Sequence, residues 1–134
     1  MELIIGGAYQ GKLTYAASTY SIKPEEMLDL ALPPENLVSI KDLSEIRCVY
    51  HLESLTYRAI KSGTCEAVLS FLNSLFESHP DIIVISREIG SGVVPMDKDD
   101  RFFREFHGKL LSKIAARADC VTRIFCGIGT KLKG

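Results

Sequence analysis

The sequence has no charge surplus, no metal-spaced cysteines and no long apolar run, and each absence removes a class of function. There are 16 basic side chains against 17 acidic ones, a balance that gives no support to nucleic acid or an anionic membrane surface as partner. Cys48, Cys65, Cys120 and Cys126 include no C-x-x-C pair and no metal-ligand spacing. Cys48, Cys120 and Cys126 fall in or beside apolar, strand-like runs, so they read as reduced core residues of a cytoplasmic protein. No basic segment precedes an apolar core at the N-terminus, and no apolar run approaches the roughly 18 residues that a membrane span needs. Internal repeats and low-complexity stretches are also missing. At 134 residues the expectation is one domain with a substantial core.

What is present is concentrated near the start. Leu3-Ile4-Ile5 suits a buried strand, and the run breaks at Gly6-Gly7. From Gly6 the chain reads G-x-x-x-x-G-K through Gly7, Ala8, Tyr9, Gln10, Gly11 and Lys12, the phosphate-cradling loop of nucleotide-binding proteins, placed between a strand and a helix as its mechanism requires. Glycines let successive N–H groups converge on phosphate oxygens, the helix N-terminus adds partial positive charge, and Lys12 would reach the outer phosphates. The motif continues with Ser or Thr to hold magnesium, whereas this chain has Leu13 and then Thr14. Thr14 would lie roughly 100 degrees around the helix from that position and is no simple substitute.

Further along, strand and helix patterns alternate. A helix opens near Lys12; Pro24 is in the first turn of a short helix over residues 25–31; a second strand falls on residues 37–40 and a third on 47–52. A helix then runs through Tyr57 and Ile60 to Gly63. Residues 64–78 form an amphipathic helix with Val68, Leu69, Leu72, Leu75 and Phe76 on one stripe and Thr64 as N-cap. Residues 81–86 (Asp-Ile-Ile-Val-Ile-Ser) read as a strand covered on both faces. Next come a glycine-rich loop over 87–95 and a long helix over 99–118 with Phe103, Phe106, Leu110, Ile114 and Ala118 as its stripe. A last strand covers 121–126, with residues 127–131 as a loop and a short lysine-containing tail. This is the pattern of an α/β domain, helices covering a mostly parallel sheet.

Ligands of such sheets sit at the carboxyl ends of the strands, which selects the loops 6–12, 51–54, 87–95 and 127–131. Phosphoryl chemistry needs a phosphate loop, a cation and a carboxylate associated with magnesium. Glu53 and Glu88 stand just past strand ends and are the candidates; Asp81 begins its strand and points to the opposite edge. His51 leaves its strand on the same face as Glu53 and could accept a nucleotidyl group, although a hydrogen-bonded structural role is the plainer reading. His79 and His107 read as solvated, and Arg101 and Arg104 as surface residues.

Ile85-Ser86-Arg87-Glu88-Ile89-Gly90-Ser91-Gly92-Val93-Val94-Pro95 is similar to the Asn-Glu-Val-Gly-x-Gly-Ile-Val-Pro segment of the adenosylcobinamide kinase/adenosylcobinamide-phosphate guanylyltransferase family. The likeness continues through Arg101, Phe103, Arg104 and Gly108, the stretch 114–119, the closing Gly127-Ile128-Gly129-Thr130-Lys131-Leu132-Lys133, and Leu52-Glu53-Ser54-Leu55-Thr56 after the third strand. The resemblance implies a P-loop nucleoside-triphosphate fold of the RecA-like kind, often trimeric. It also implies phosphorylation of adenosylcobinamide by ATP or GTP with Mg2+, then GMP transfer through a guanylylated histidine. On that resemblance residues 6–14 bind the triphosphate, Glu53 is the magnesium-associated carboxylate and Glu88 the glutamate of the glycine-rich loop.

Three positions depart from the family pattern: Leu13 replaces the hydroxyl, Arg87 replaces an asparagine, and Leu111 stands where the family has another. No histidine occurs between Met1 and Tyr50, where the family carries its acceptor, which counts against guanylyl transfer unless His51 is a relocated acceptor. The expectation is therefore a kinase-like enzyme; the alternative is a non-catalytic nucleotide- or corrinoid-binding relative acting as sensor or partner subunit. A dinucleotide-binding oxidoreductase is disfavoured, because the first turn lacks G-x-G-x-x-G.

Overall fold

Residues Glu2–Gly6 form β1, whose two faces carry apolar side chains in alternation; Leu3 and Ile4 are buried on opposite sides. A strand apolar on both faces belongs inside a sheet covered by two layers. The computed structural model, which describes residues 1–8, 10–32, 43–88 and 98–134 with Asp99 as backbone only, places it there. The other elements are α1 (Lys12–Tyr20), a 3-10 turn (Pro24–Glu26), β2 (Met27–Asp29), β3 (Cys48–Tyr50), α2 (Leu52–Ser62), α3 (Cys65–Ser78), β4 (Ile83–Arg87), α4 (Lys98–Arg117), β5 (Cys120–Phe125) and β6 (Ile128–Lys133). The sheet order is β2-β3-β4-β1-β5-β6. The pairs β2/β3, β3/β4, β4/β1 and β1/β5 are parallel and β5/β6 antiparallel.

One face of the sheet packs on α1 through Ile4, Ala16, Cys48, Ile83, Ile85 and Ile124. The other packs on α2, α3 and α4 through Leu3, Val49, Val84 and Val121 against Leu52, Leu55, Leu72, Leu75, Phe76, Leu110 and Ile114. Each fully buried Leu or Ile side chain contributes roughly 1.5–3 kcal/mol, which is why these stripes override weaker local preferences.

Four expectations are corrected. Residues 25–31 form no helix: after the 3-10 turn, Met27, Leu28 and Asp29 pair in register with Cys48, Val49 and Tyr50. Leu28 and Leu30 are buried at a spacing of two, so pairing with a distant strand wins over local helix propensity. Residues 128–133 are a strand rather than a loop and tail. Cys126 and Gly127 adopt φ 51° and 77°, the left-handed pair of a two-residue hairpin turn whose twist matches its strands. Of the three cysteines expected in the core only Cys48 is buried; Cys120 is partly buried and Cys126 exposed at that turn, and all four cysteines are free thiols. Thr64 precedes α3, but its side chain caps no backbone N–H; its hydroxyl meets Ser62 Oγ at 2.8 Å. The strand expected over residues 37–40 lies outside the described residues, as do Tyr9 and the segment 89–97. No helix among the described residues is long and apolar enough to cross a membrane.

Candidate functional site

The carboxyl end of β1 opens between those of β4 and β5, and the chain turns there into α1. Gly6 is obligatory at this turn, because a Cβ on it would lie 2.6 Å from the carbonyl oxygen of Ile124 on the adjacent strand. Gly11 immediately precedes α1 with φ 87°, a conformation glycine adopts without strain. Gly11, the N-cap, offers α1 no side-chain cap, and the first turn holds no acidic residue. The N-terminal amides and the positive end of the dipole are therefore left for an external anion. The turn of the β5–β6 hairpin clasps the loop: the Cys126 amide donates to Gln10 Oε1 at 2.6 Å and the Gly127 amide to the Gln10 carbonyl at 2.8 Å.

Lys12 is the first residue of α1, and its Nζ donates to the carbonyl of Gly7 at 2.7 Å. The ammonium thus curls over the loop it belongs to. Burial lowers its proton affinity, the Glu53 carboxylate opposes that shift, and the positive charge of Arg87 adds to it. Glu53, in the first turn of α2, has its Oε2 buried with no hydrogen-bond partner among the described residues. A buried carboxylate oxygen left unmet costs free energy, so the site is short of a donor that a ligand can bring.

These groups line one open cleft of about 350 Å³, walled by Ala8, Gln10 to Thr14, Tyr50, His51, Glu53, Ile85 and Arg87, a volume within the range of small-molecule sites. His51 is half-exposed at the rim, and its Nδ1 lies 2.7 Å from Asp29 Oδ1. With Nδ1–H donating to that carboxylate, Nε2 is the acceptor nitrogen. Lys12, Glu53 and His51 thus meet, together with the described residues of the phosphate loop. Glu88 stands apart. Strand alternation puts Arg87 on the cleft side of β4 with Ile85 and sends Glu88 to the other, where its carboxylate pairs with Arg123 Nε at 2.9 Å. Its amide donates to the Gly6 carbonyl at 2.7 Å, tying the end of β4 to the loop. Arg101 is exposed on α4.

Two histidines depart from the solvated reading. His79 is partly buried, its Nε2 lying 2.5 Å from the Leu43 carbonyl. His107 is fully buried between α2 and β4, with Nδ1 2.7 Å from Thr56 Oγ1 and Nε2 2.9 Å from Ser86 Oγ. Its place on the stripe was visible in its spacing, four residues after Phe103 and three before Leu110. Burial pushes its pKa down to about 4, so the ring is neutral. Arg87, which also lines the cleft, carries no spacing signal that separates it from a surface residue.

The loop amides and Lys12 offer this cleft donors for phosphate oxygens, whereas the described residues do not make up a magnesium site. Leu13 occupies the position of the usual hydroxyl ligand, Glu53 is the one carboxylate among the described residues lining the cleft, and no cluster of three potential ligands occurs among the described residues.

A family model described as cobinamide kinase / cobinamide phosphate guanyltransferase matches residues 43–132. The chain belongs to this family. Its fold is accordingly the P-loop nucleoside-triphosphate fold, with a mostly parallel sheet flanked by helices. The bifunctional adenosylcobalamin biosynthesis protein CobU of Salmonella typhimurium is 27% identical over 81 residues, 60% of this chain and 45% of that protein. The protein of the same name from Escherichia coli is 27% identical over 77 residues, 58% and 42% of the two chains. The chain thus spans less than half the length of each of these relatives in the alignments. The phosphate loop lies before the family-matched segment, so its assignment rests on its own geometry.

Proposed function

We propose that the cleft binds a purine nucleoside triphosphate, ATP or GTP, and transfers its terminal phosphoryl group to the hydroxyl of a cobinamide-class corrinoid. The observation that carries this reading is the pairing of an uncapped helix N-terminus and Lys12 with the unmet Glu53 oxygen in one cleft. In the transfer, Lys12 leaves the Gly7 carbonyl for the outer phosphates, and the loop amides hold the inner ones. The acceptor hydroxyl attacks the terminal phosphorus, the bond to the bridging oxygen breaks, and the departing diphosphate keeps that bond's electrons. Glu53 takes the hydroxyl proton, which satisfies its orphaned oxygen. If magnesium were bound with the nucleotide, Glu53 is the carboxylate of the cleft that would face it, and the ion would supply neutralisation of phosphate charge. The setting is cytoplasmic and the assembly a homo-oligomer, a trimer by family likeness.

A second reading is favoured by Leu13, 39% exposed at the cleft: a relative that binds the nucleotide or corrinoid without turning it over. Melting scans test the first step. A triphosphate at about one hundred times its Kd stabilises the fold by roughly 2.7 kcal/mol, and Lys12→Ala abolishes the shift; no shift with any triphosphate defeats the kinase reading and the nucleotide-binding form of the second. Phosphorylation of adenosylcobinamide by the purified protein separates enzyme from binder. Guanylyl transfer through His51 predicts an acid-labile, alkali-stable adduct from labelled GTP that is lost in His51→Ala.

A further inference from the structure

We infer that Arg87 joins Lys12 at the outer phosphates in place of a protein-held metal, so that a polyphosphate binds this cleft without a divalent ion. The inference rests on the triphosphate reading above. Arg87 ends β4 directly opposite Gly6 in the β1/β4 register, on the same strand face as Ile85, and both line the cleft. Its guanidinium makes no ion pair or hydrogen bond among the described residues, because the adjacent Glu88 is turned away and neutralised by Arg123. Its charge is felt at Lys12. Among the described residues lining the cleft there are thus two cations, Lys12 and Arg87, and one carboxylate, Glu53, a net positive site facing a helix N-terminus. At the position where a hydroxyl would hold a metal, Leu13 presents hydrocarbon. The absence of a hydroxyl at Leu13 and a guanidinium unengaged among the described residues are complementary in one cleft. A guanidinium binds two phosphate oxygens in a fixed fork and stabilises charge on a transferring phosphoryl group.

The test is calorimetric titration of the whole chain with GTP, ATP and inorganic tripolyphosphate, in EDTA and in magnesium, for the wild type, Arg87→Gln, Arg87→Lys and Leu13→Thr. Binding by the wild type within threefold in the two buffers is expected. Arg87→Gln should lose at least tenfold in EDTA and regain part of it in magnesium, Arg87→Lys should fall between, and Leu13→Thr should bind more tightly in magnesium than in EDTA. Thermal melts confirm that each variant folds, and Arg87→Lys retains the charge if Arg87→Gln does not. Wild-type binding that drops more than tenfold in EDTA overturns the inference and leaves the triphosphate reading standing. Equal binding by Arg87→Gln and wild type in EDTA does the same. Binding in neither buffer by any of the three probes overturns both.

Discussion

His107 Nδ1 lies 2.7 Å from the Thr56 hydroxyl in a region closed to solvent, and this contact ties the cleft to the core behind it. Thr56 follows Glu53 by one helical turn, and its hydroxyl also reaches the Glu53 carbonyl at 3.1 Å. On the other side of the ring, Ser86 Oγ sits 2.9 Å from Nε2 and precedes Arg87 in the chain. One buried imidazole thus joins α4 to the segments that carry both Glu53 and Arg87.

The first prediction is that His107→Leu, which keeps the volume and removes both contacts, destabilises the fold by roughly 2–4 kcal/mol. Urea unfolding measures this. The pH dependence gives a second signature. The folded ring has its pKa pushed from 6.5 down to about 4, so between those values the unfolded chain binds a proton that the folded chain does not. Stability is then fully present above pH 6.5 and is lost as pH falls toward 4, by up to about 3 kcal/mol for a shift of this size. His107→Leu should lack that component of the slope. Parallel pH profiles for the two proteins would refute it.

The second prediction contrasts two glycines. A Cβ on Gly129 would stand 2.7–2.8 Å from ring atoms of Tyr15, and one on Gly6 would stand 2.6 Å from a backbone carbonyl. Gly129→Ala should cost roughly 1–3 kcal/mol and recover most of it when combined with Tyr15→Ala, a coupling that a double-mutant cycle reads directly. Gly6→Ala has no side chain to truncate in relief, because β1 and β5 themselves must part. Its loss should be larger and should not be rescued by any change at Ile124.

These pairs also show how far the chain could be read before its fold was known. β1, α1, α3 and β4 were legible because buried strands and stripes repeat at periods of two and 3.6. Lys12, His51 and Glu53 were placed together by the rule that loops at strand carboxyl ends meet. β2 was hidden because its partner is β3, about twenty residues away, and no local window contains that pairing. β6 was hidden because every one of its residues is exposed, so it lacks the hydrophobic alternation that marks a strand. The opposed directions of Arg87 and Glu88 follow from strand alternation, but only once β4 is known to run as far as Arg87.

The third prediction concerns Gln10, whose side chain and backbone carbonyl are each held by one amide of the Cys126–Gly127 turn. Gln10→Ala removes the side-chain half of that clasp and leaves the backbone half in place. The expected stability cost is small, about 1 kcal/mol for one hydrogen bond at the surface. Hydrogen exchange should nevertheless separate the two amides: Cys126 N–H loses protection, while Gly127 N–H keeps most of its own. Because a loop that must be ordered on binding subtracts that ordering from the affinity, triphosphate binding should weaken about fivefold with Lys12 untouched, equivalent to roughly 1 kcal/mol. Gln10→Glu restores an acceptor at the same reach and should return protection to Cys126. Unchanged exchange at both amides in Gln10→Ala would mean that the hairpin does not hold the loop, and the affinity change would then need a different cause.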